Sequence, residues 1–79
     1  METHSTPHTP ASLRTVLGKS QQEIADAAGV SVRTIRNLEE GDDVSLDSLR
    51  GIAPVLEVSF DALIAAIDTA RARRAAGAA

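Results

Sequence analysis

The amino-acid sequence predicts an all-α fold of five short helices forming one small domain. Three observations carry that prediction. Apolar residues recur at three- and four-residue spacings along most of the chain, the period of one helix face. A Ser or Thr (Thr9, Ser20, Ser31, Ser45, Ser59) stands just before each such stretch, where its side chain can accept from an unpaired first-turn amide. Gly18, Gly29 and Gly41 follow the first three stretches, where a left-handed residue closes a helix at least cost.

Residues 1–8 mix Thr, Ser, His and Pro without periodicity and are expected to form a disordered arm. His4 and His8 are four apart, but Pro7 interrupts any helix between them. No Asp, Glu or Cys cluster joins them, so the sequence calls for no metal and no cofactor. Thr9-Pro10 reads as a cap followed by proline at the first helical position, where its missing N–H costs nothing. The first helix, ASLRTVL, is expected to bury a stripe of Leu13 and Leu17 and to stop near Gly18.

Ser20 and Glu23 form the S-x-x-E capping box of the second helix, QQEIADAA, with Ile24, Ala25 and Ala28 on one side. Gly29 supplies the turn, Val30 packs inward, and Ser31 caps the third helix, VRTIRNLEE, which ends at Gly41. About three residues join these two helices, too few for a relaxed antiparallel hairpin. They suit a crossing near a right angle, the helix-turn-helix. Ala25 is small where the helices touch, and Ile35 and Leu38 supply a docking face three residues apart. With that pair inward, the 100° step per residue places Arg33, Arg36, Asn37 and Glu40 outward, and Val32 at the exposed N-terminal edge.

Ser45 is expected to cap a fourth helix, LDSLRGIAPVLE, in which Leu46, Leu49, Ile52, Ala53 and Leu56 keep the helical period. Gly51 and Pro54 weaken it, and Pro54 is expected to kink it or loosen its last turn. Ser59 caps a fifth helix with Asp61 in its first turn and Phe60, Leu63, Ile64 and Ile67 as its apolar face. TARARRAAGAA continues this helix, and its three arginines suit a helix C-terminus. The expected organisation is an arm over residues 1–8, a helix-turn-helix domain over 9–68, and an Ala- and Arg-rich helix extension or tail over 69–79.

Composition bounds the function. The chain is 43% hydrophobic but 1% aromatic, so its core is aliphatic, and without Cys it has neither disulfides nor thiolate metal sites. It has no apolar run near the roughly 20 residues that span a bilayer and no signal pattern at METHSTPHTP, so a cytoplasmic protein is expected. The net charge of −3 is unusual for a nucleic-acid binder. Its distribution is segregated. Residues 1–38 carry four bases against three acids, residues 39–68 only Arg50 against eight acids, and residues 69–79 three arginines and no acid.

The outward set on the third helix is chemically apt for duplex DNA. Arg can donate two hydrogen bonds to guanine O6 and N7, Asn can pair with adenine N6 and N7, and Val32 can touch a thymine methyl. Val32, Arg33, Arg36 and Asn37 are therefore the expected base contacts. Ser20, Gln21, Gln22 and Thr34 are the expected backbone contacts, the amides at the start of the second helix being able to hold a phosphate. The plainer reading of Arg33 and Arg36 is solvated surface charge; the Ala-Gly-Ile-Leu spacing favours DNA.

The run SQQEIADAAGVSVRTIRNLEEG, followed by SLDSLRGIAPVLEVSFDALI, resembles the Cro and lambda-repressor-type helix-turn-helix domain, the XRE-like family, over about residues 11–65. The resemblance implies a compact five-helix, lambda-repressor-like domain that binds operator DNA, usually as a two-fold dimer on a near-palindromic site. It also implies backbone contact by Gln21, groove-facing positions at Val32, Arg33, Arg36 and Asn37, and an ion pair between Arg14 and Glu39.

The chain departs from that pattern at the end of the third helix. Asp42 and Asp43 stand where many members carry Lys or Arg, Glu40 replaces a common Asn, and Glu57 replaces the usual Gly before V-S. The loop to the fourth helix is also one residue shorter than common versions. Lower affinity per subunit is expected, with reliance on a homodimer, at least on DNA, or on a partner. The favoured expectation is a DNA-binding regulator, most simply a repressor reading the major groove with helix 31–40. The alternative is a protein-interaction module of the same fold, antitoxin-like or a regulator's partner, using the acidic surface 39–47. An enzyme is least favoured, for want of a convergent acid–base cluster.

Overall fold

Each of the five Ser or Thr residues starts a helix in the computed structural model, which describes residues 8–77. The helices are α1 (Pro10–Val16), α2 (Gln21–Ala28), α3 (Val32–Glu40), α4 (Leu46–Val55) and α5 (Phe60–Gly77). The caps share one geometry. Thr9, Ser20, Ser31 and Ser45 accept from the amides of Ser12, Glu23, Thr34 and Ser48, and Ser59 accepts from Ala62. At Ser20 the box is complete, because its amide donates to the Glu23 carboxylate at 2.8 Å. At Thr9 the reciprocal acceptor is the Ser12 hydroxyl, at 2.9 Å.

Helices α2 and α3 pack against one another across the Gly29 turn, α4 closes over α2, and α5 lies against α1, α3 and α4. Gly29 adopts φ 72°, a conformation that a side chain would strain, and the Val30 amide then donates to the Ala25 carbonyl at 3.0 Å. Ala25 is fully buried where the pair crosses. Gly51, expected to weaken α4, has a packing role. A Cβ there would stand 3.3 Å from the Ala28 carbonyl oxygen, so its absence lets α4 approach α2.

The core is aliphatic. Ile24, Ile35, Leu38, Leu49, Ile52, Leu56, Leu63 and Ile67 form one buried cluster. Full burial of such a side chain contributes roughly 1.5–3 kcal/mol before entropy is counted. Two apolar expectations need correction. Leu13 and Leu17 are only partly buried against this cluster, because α1 lies at its edge; Pro10 is the residue α1 buries. Leu46 is 59% exposed despite its helical register, because at the first position of α4 it precedes the packed turns.

Helix α4 ends one residue beyond Pro54, and the chain reverses through Glu57 at φ 62°. The Val58 amide closes this turn on the Ala53 carbonyl at 3.1 Å. Glu57 thus holds the left-handed position that a glycine would hold without strain. Helix α5 then runs without interruption past residue 68, and Ala66 and Ala70 are buried along it. Its apolar face is used within the monomer: Leu63 and Ile67 lie in the core, and Phe60 and Ile64 pack against it.

Candidate nucleic-acid interface

Helix α3 is held by one face and presents the other. Ile35 and Leu38 are each 1% exposed, whereas Arg33 and Arg36, three positions apart and so side by side, are exposed. Asn37 is half-buried between these faces. Val32 is also half-buried and packs against the core, not at an exposed edge, because it lies three positions before Ile35 on the inward side. Of the four residues expected to meet bases, the two arginines protrude most.

The four residues expected to meet the DNA backbone all have protein partners. The hydroxyls of Ser20 and Thr34 are engaged in caps, Thr34 Oγ1 lying 3.0 Å from Ser31 Oγ. Gln22 Nε2 donates to Asp26 at 2.8 Å, and Gln21 Nε2 donates to Glu39 Oε1 at 3.0 Å. The first-turn amides of α2 lack intrahelical acceptors, as at any helix start. Glu23 occupies the same end, and its hydrogen bond from the Ser20 amide holds its carboxyl below the ordinary value of 4.5. It is therefore charged at neutral pH and opposes an anion there.

Gln21 is one arm of a polar node beneath the interface. Arg14 donates to Glu39 through Nε at 2.5 Å and Nη2 at 3.1 Å, and through Nη1 to the Lys19 carbonyl at 3.0 Å. The side chains of Arg14 and Glu39 are 20% and 10% exposed. The hydrogen bond to Glu39 pushes the Arg14 pKa further up, against the partial burial that would lower it. Helices α1, α2 and α3 are thereby joined through a single carboxylate. The Gln21 arm carries no signal in the local sequence, since its partner lies 18 positions away.

Two further residues were missed by reading each segment alone. Arg71 Nε donates to the Gly41 carbonyl at 3.0 Å, and its Nη2 lies 3.4 Å from Asp43 Oδ1. Arg74 Nη1 donates to the Glu40 carbonyl at 3.0 Å and to Asp42 Oδ1 at 2.6 Å. The bond to Asp42 raises the Arg74 pKa. The opposite charges of residues 39–43 and 71–74 were the available signal.

Among the described residues no group of three or more His, Cys, Asp or Glu is placed to hold a metal ion, and no helix is long and apolar enough to cross a membrane. His4 lies outside the described residues; His8 approaches Ser12 Oγ at 3.5 Å. A family model described as helix-turn-helix matches residues 11–63, more than half of the chain. Neither the curated proteins nor the solved structures compared with the chain give a match.

Proposed function

The chain belongs to the Cro/C1-type (XRE-like) helix-turn-helix family of DNA-binding domains, and on that premise we propose that it is a sequence-specific transcriptional regulator, a cytoplasmic repressor that reads the major groove with α3. The observation that carries this reading is the division of α3 into a buried Ile35–Leu38 face and an exposed Arg33–Arg36 face. A helix fixed from behind presents its outer side chains at constant geometry, which paired donation to a guanine edge requires. Arg33 and Arg36 are the specifying residues in this reading. Asn37 and Val32 support them at the flank of the helix, and Ser20, Gln21, Gln22 and Thr34 set register on the phosphates by exchanging their present protein partners for phosphate oxygens, against the opposing charge of Glu23.

The operator is near-palindromic and is bound by a homodimer. Selection from a random duplex pool tests the reading: one motif should be enriched, and Arg33→Ala or Arg36→Ala should relax it at one position by about 1–3 kcal/mol. A folded protein that enriches nothing at low salt removes the DNA reading. The alternative, a protein partner on the surface 39–47, draws on the exposure of Asp43, Leu46 and Asp47. It gains if such a protein captures a partner that Leu46→Lys releases.

A further inference from the structure

The end of the recognition helix has a charge problem. Glu39, Glu40, Asp42 and Asp43 place four acids within five residues, on and just after the helix that must approach phosphates. They stand at the negative pole of the helix dipole, and α3 has no basic residue in its own last turn. Left alone, this edge would repel DNA.

It is not left alone. Glu39 is engaged by Arg14 from below. Ala70, 8% exposed, packs α5 beside the end of α3, and Arg71 and Arg74 reach the turn from one face of α5. Each arginine holds one backbone carbonyl and one carboxylate: Gly41 and Asp43 for Arg71, Glu40 and Asp42 for Arg74. Arg71 lies across Gly41 so closely that a Cβ there would stand 3.1 Å from its Cγ. The arginines thus take the place of the missing C-terminal cation and offset the charge of both aspartates, Asp42 in close contact at 2.6 Å and the exposed Asp43 at 3.4 Å.

We propose that Arg71 and Arg74 are positioning residues for DNA binding: a clasp from α5 that cancels the charge of the turn after α3 and lets that edge approach the phosphate backbone. The proposal rests on the DNA reading above. Both ion pairs are largely exposed, the side chains of Arg71 and Arg74 being 47% and 60% accessible, so they contribute little to folding. Their larger consequence is the field at the interface.

The test is a charge cycle on the full chain. Affinity for the selected duplex is measured against salt for the unaltered protein, Arg71→Gln/Arg74→Gln, Asp42→Asn/Asp43→Asn and the combined variant, each shown folded by its thermal melt. Losing the arginines should weaken binding about tenfold at low salt and less at high salt. The combined variant should recover most of that loss, because the carboxylates that needed cancelling are gone. A folded arginine variant that binds like the unaltered protein overturns the proposal. So does a loss that the combined variant does not recover.

A second measurement needs no DNA. Hydrogen exchange at the Gly41 and Asp42 amides should quicken in Arg71→Gln/Arg74→Gln, and unchanged rates overturn the clasp. If the rates respond but the unaltered protein selects no duplex, the DNA reading fails, and the clasp's role in it falls while the contact itself stands.

Discussion

The two ends of α3 are closed by different means. At the N-terminal end Ser31 accepts from the Thr34 amide and meets its hydroxyl, both three residues away. At the C-terminal end Gly41 closes the backbone locally, the Gly41 and Asp42 amides donating to Leu38 and Asn37, but the side-chain partners of residues 39–43 come from α1, α2 and α5, at separations of 18 to 34 positions. The first end can form as soon as the helix does. At the second, the backbone cap forms in the same way, whereas the contacts from Arg14, Gln21, Arg71 and Arg74 exist only once the other helices have docked. The contrast teaches that an apparently adverse sequence, acids at the end of a DNA-reading helix, is interpretable only with its distant cations in place.

The comparison can be broken most forcefully at Glu39. Glu39→Ala leaves the Arg14 guanidinium half-sunk without its carboxylate and frees Gln21, and should cost about 2 kcal/mol in urea denaturation. The effect should shrink when Arg14→Ala is already present, since the two belong to one interaction. Ser31→Ala should cost about 1 kcal/mol, with no such dependence on Arg14. Equal coupling of both sites to Arg14 would erase the distinction between the two ends.

Glu57 sharpens the contrast from outside α3. Gly41 takes its left-handed turn without strain, whereas Glu57 makes one with a side chain, at φ 62°. Glu57→Gly should raise the denaturation midpoint by the equivalent of about 0.5–1 kcal/mol, offset partly by the greater freedom of glycine in the unfolded chain. A loss of stability would show that the Glu57 side chain contributes contacts exceeding that strain. The smallest effect concerns Glu23. Its folded-state pKa lies below 4.5, so its contribution is present above that value and is lost as pH falls through the folded value. Carboxyl titration by NMR should place Glu23 below the ordinary glutamate value of 4.5, and Glu23→Gln should flatten the acid side of the stability profile.

Much of the fold was legible because its signals are local. Caps at Thr9, Ser20, Ser31, Ser45 and Ser59 and the left-handed Gly29 and Gly41 act over three or four residues, so order along the chain is enough to read them. Ile35 and Leu38 were legible as the inner face of α3 through their spacing, and Arg33 and Arg36 became the outer face by consequence. Periodicity failed at Leu46, because it reports which residues share a face without saying how far a neighbouring helix extends along it. At Val32 periodicity was right and was overridden: position at the end of a helix suggested exposure, while register with Ile35 brought it inward.

The sequence by itself determined five helices, their capped starts, the α2–α3 turn and the division of α3 into apolar and basic faces, all set by interactions within one or two turns. Tertiary structure alone decided that the apolar stripe of α5 packs on the core, that Gln21 joins the expected Arg14–Glu39 pair, and that Arg71 and Arg74 stand over the acidic turn. Those outcomes depend on how helices lie in space. Charge attraction between segments some 30 residues apart is weak in the open chain and becomes specific only when core packing has brought the two ends together.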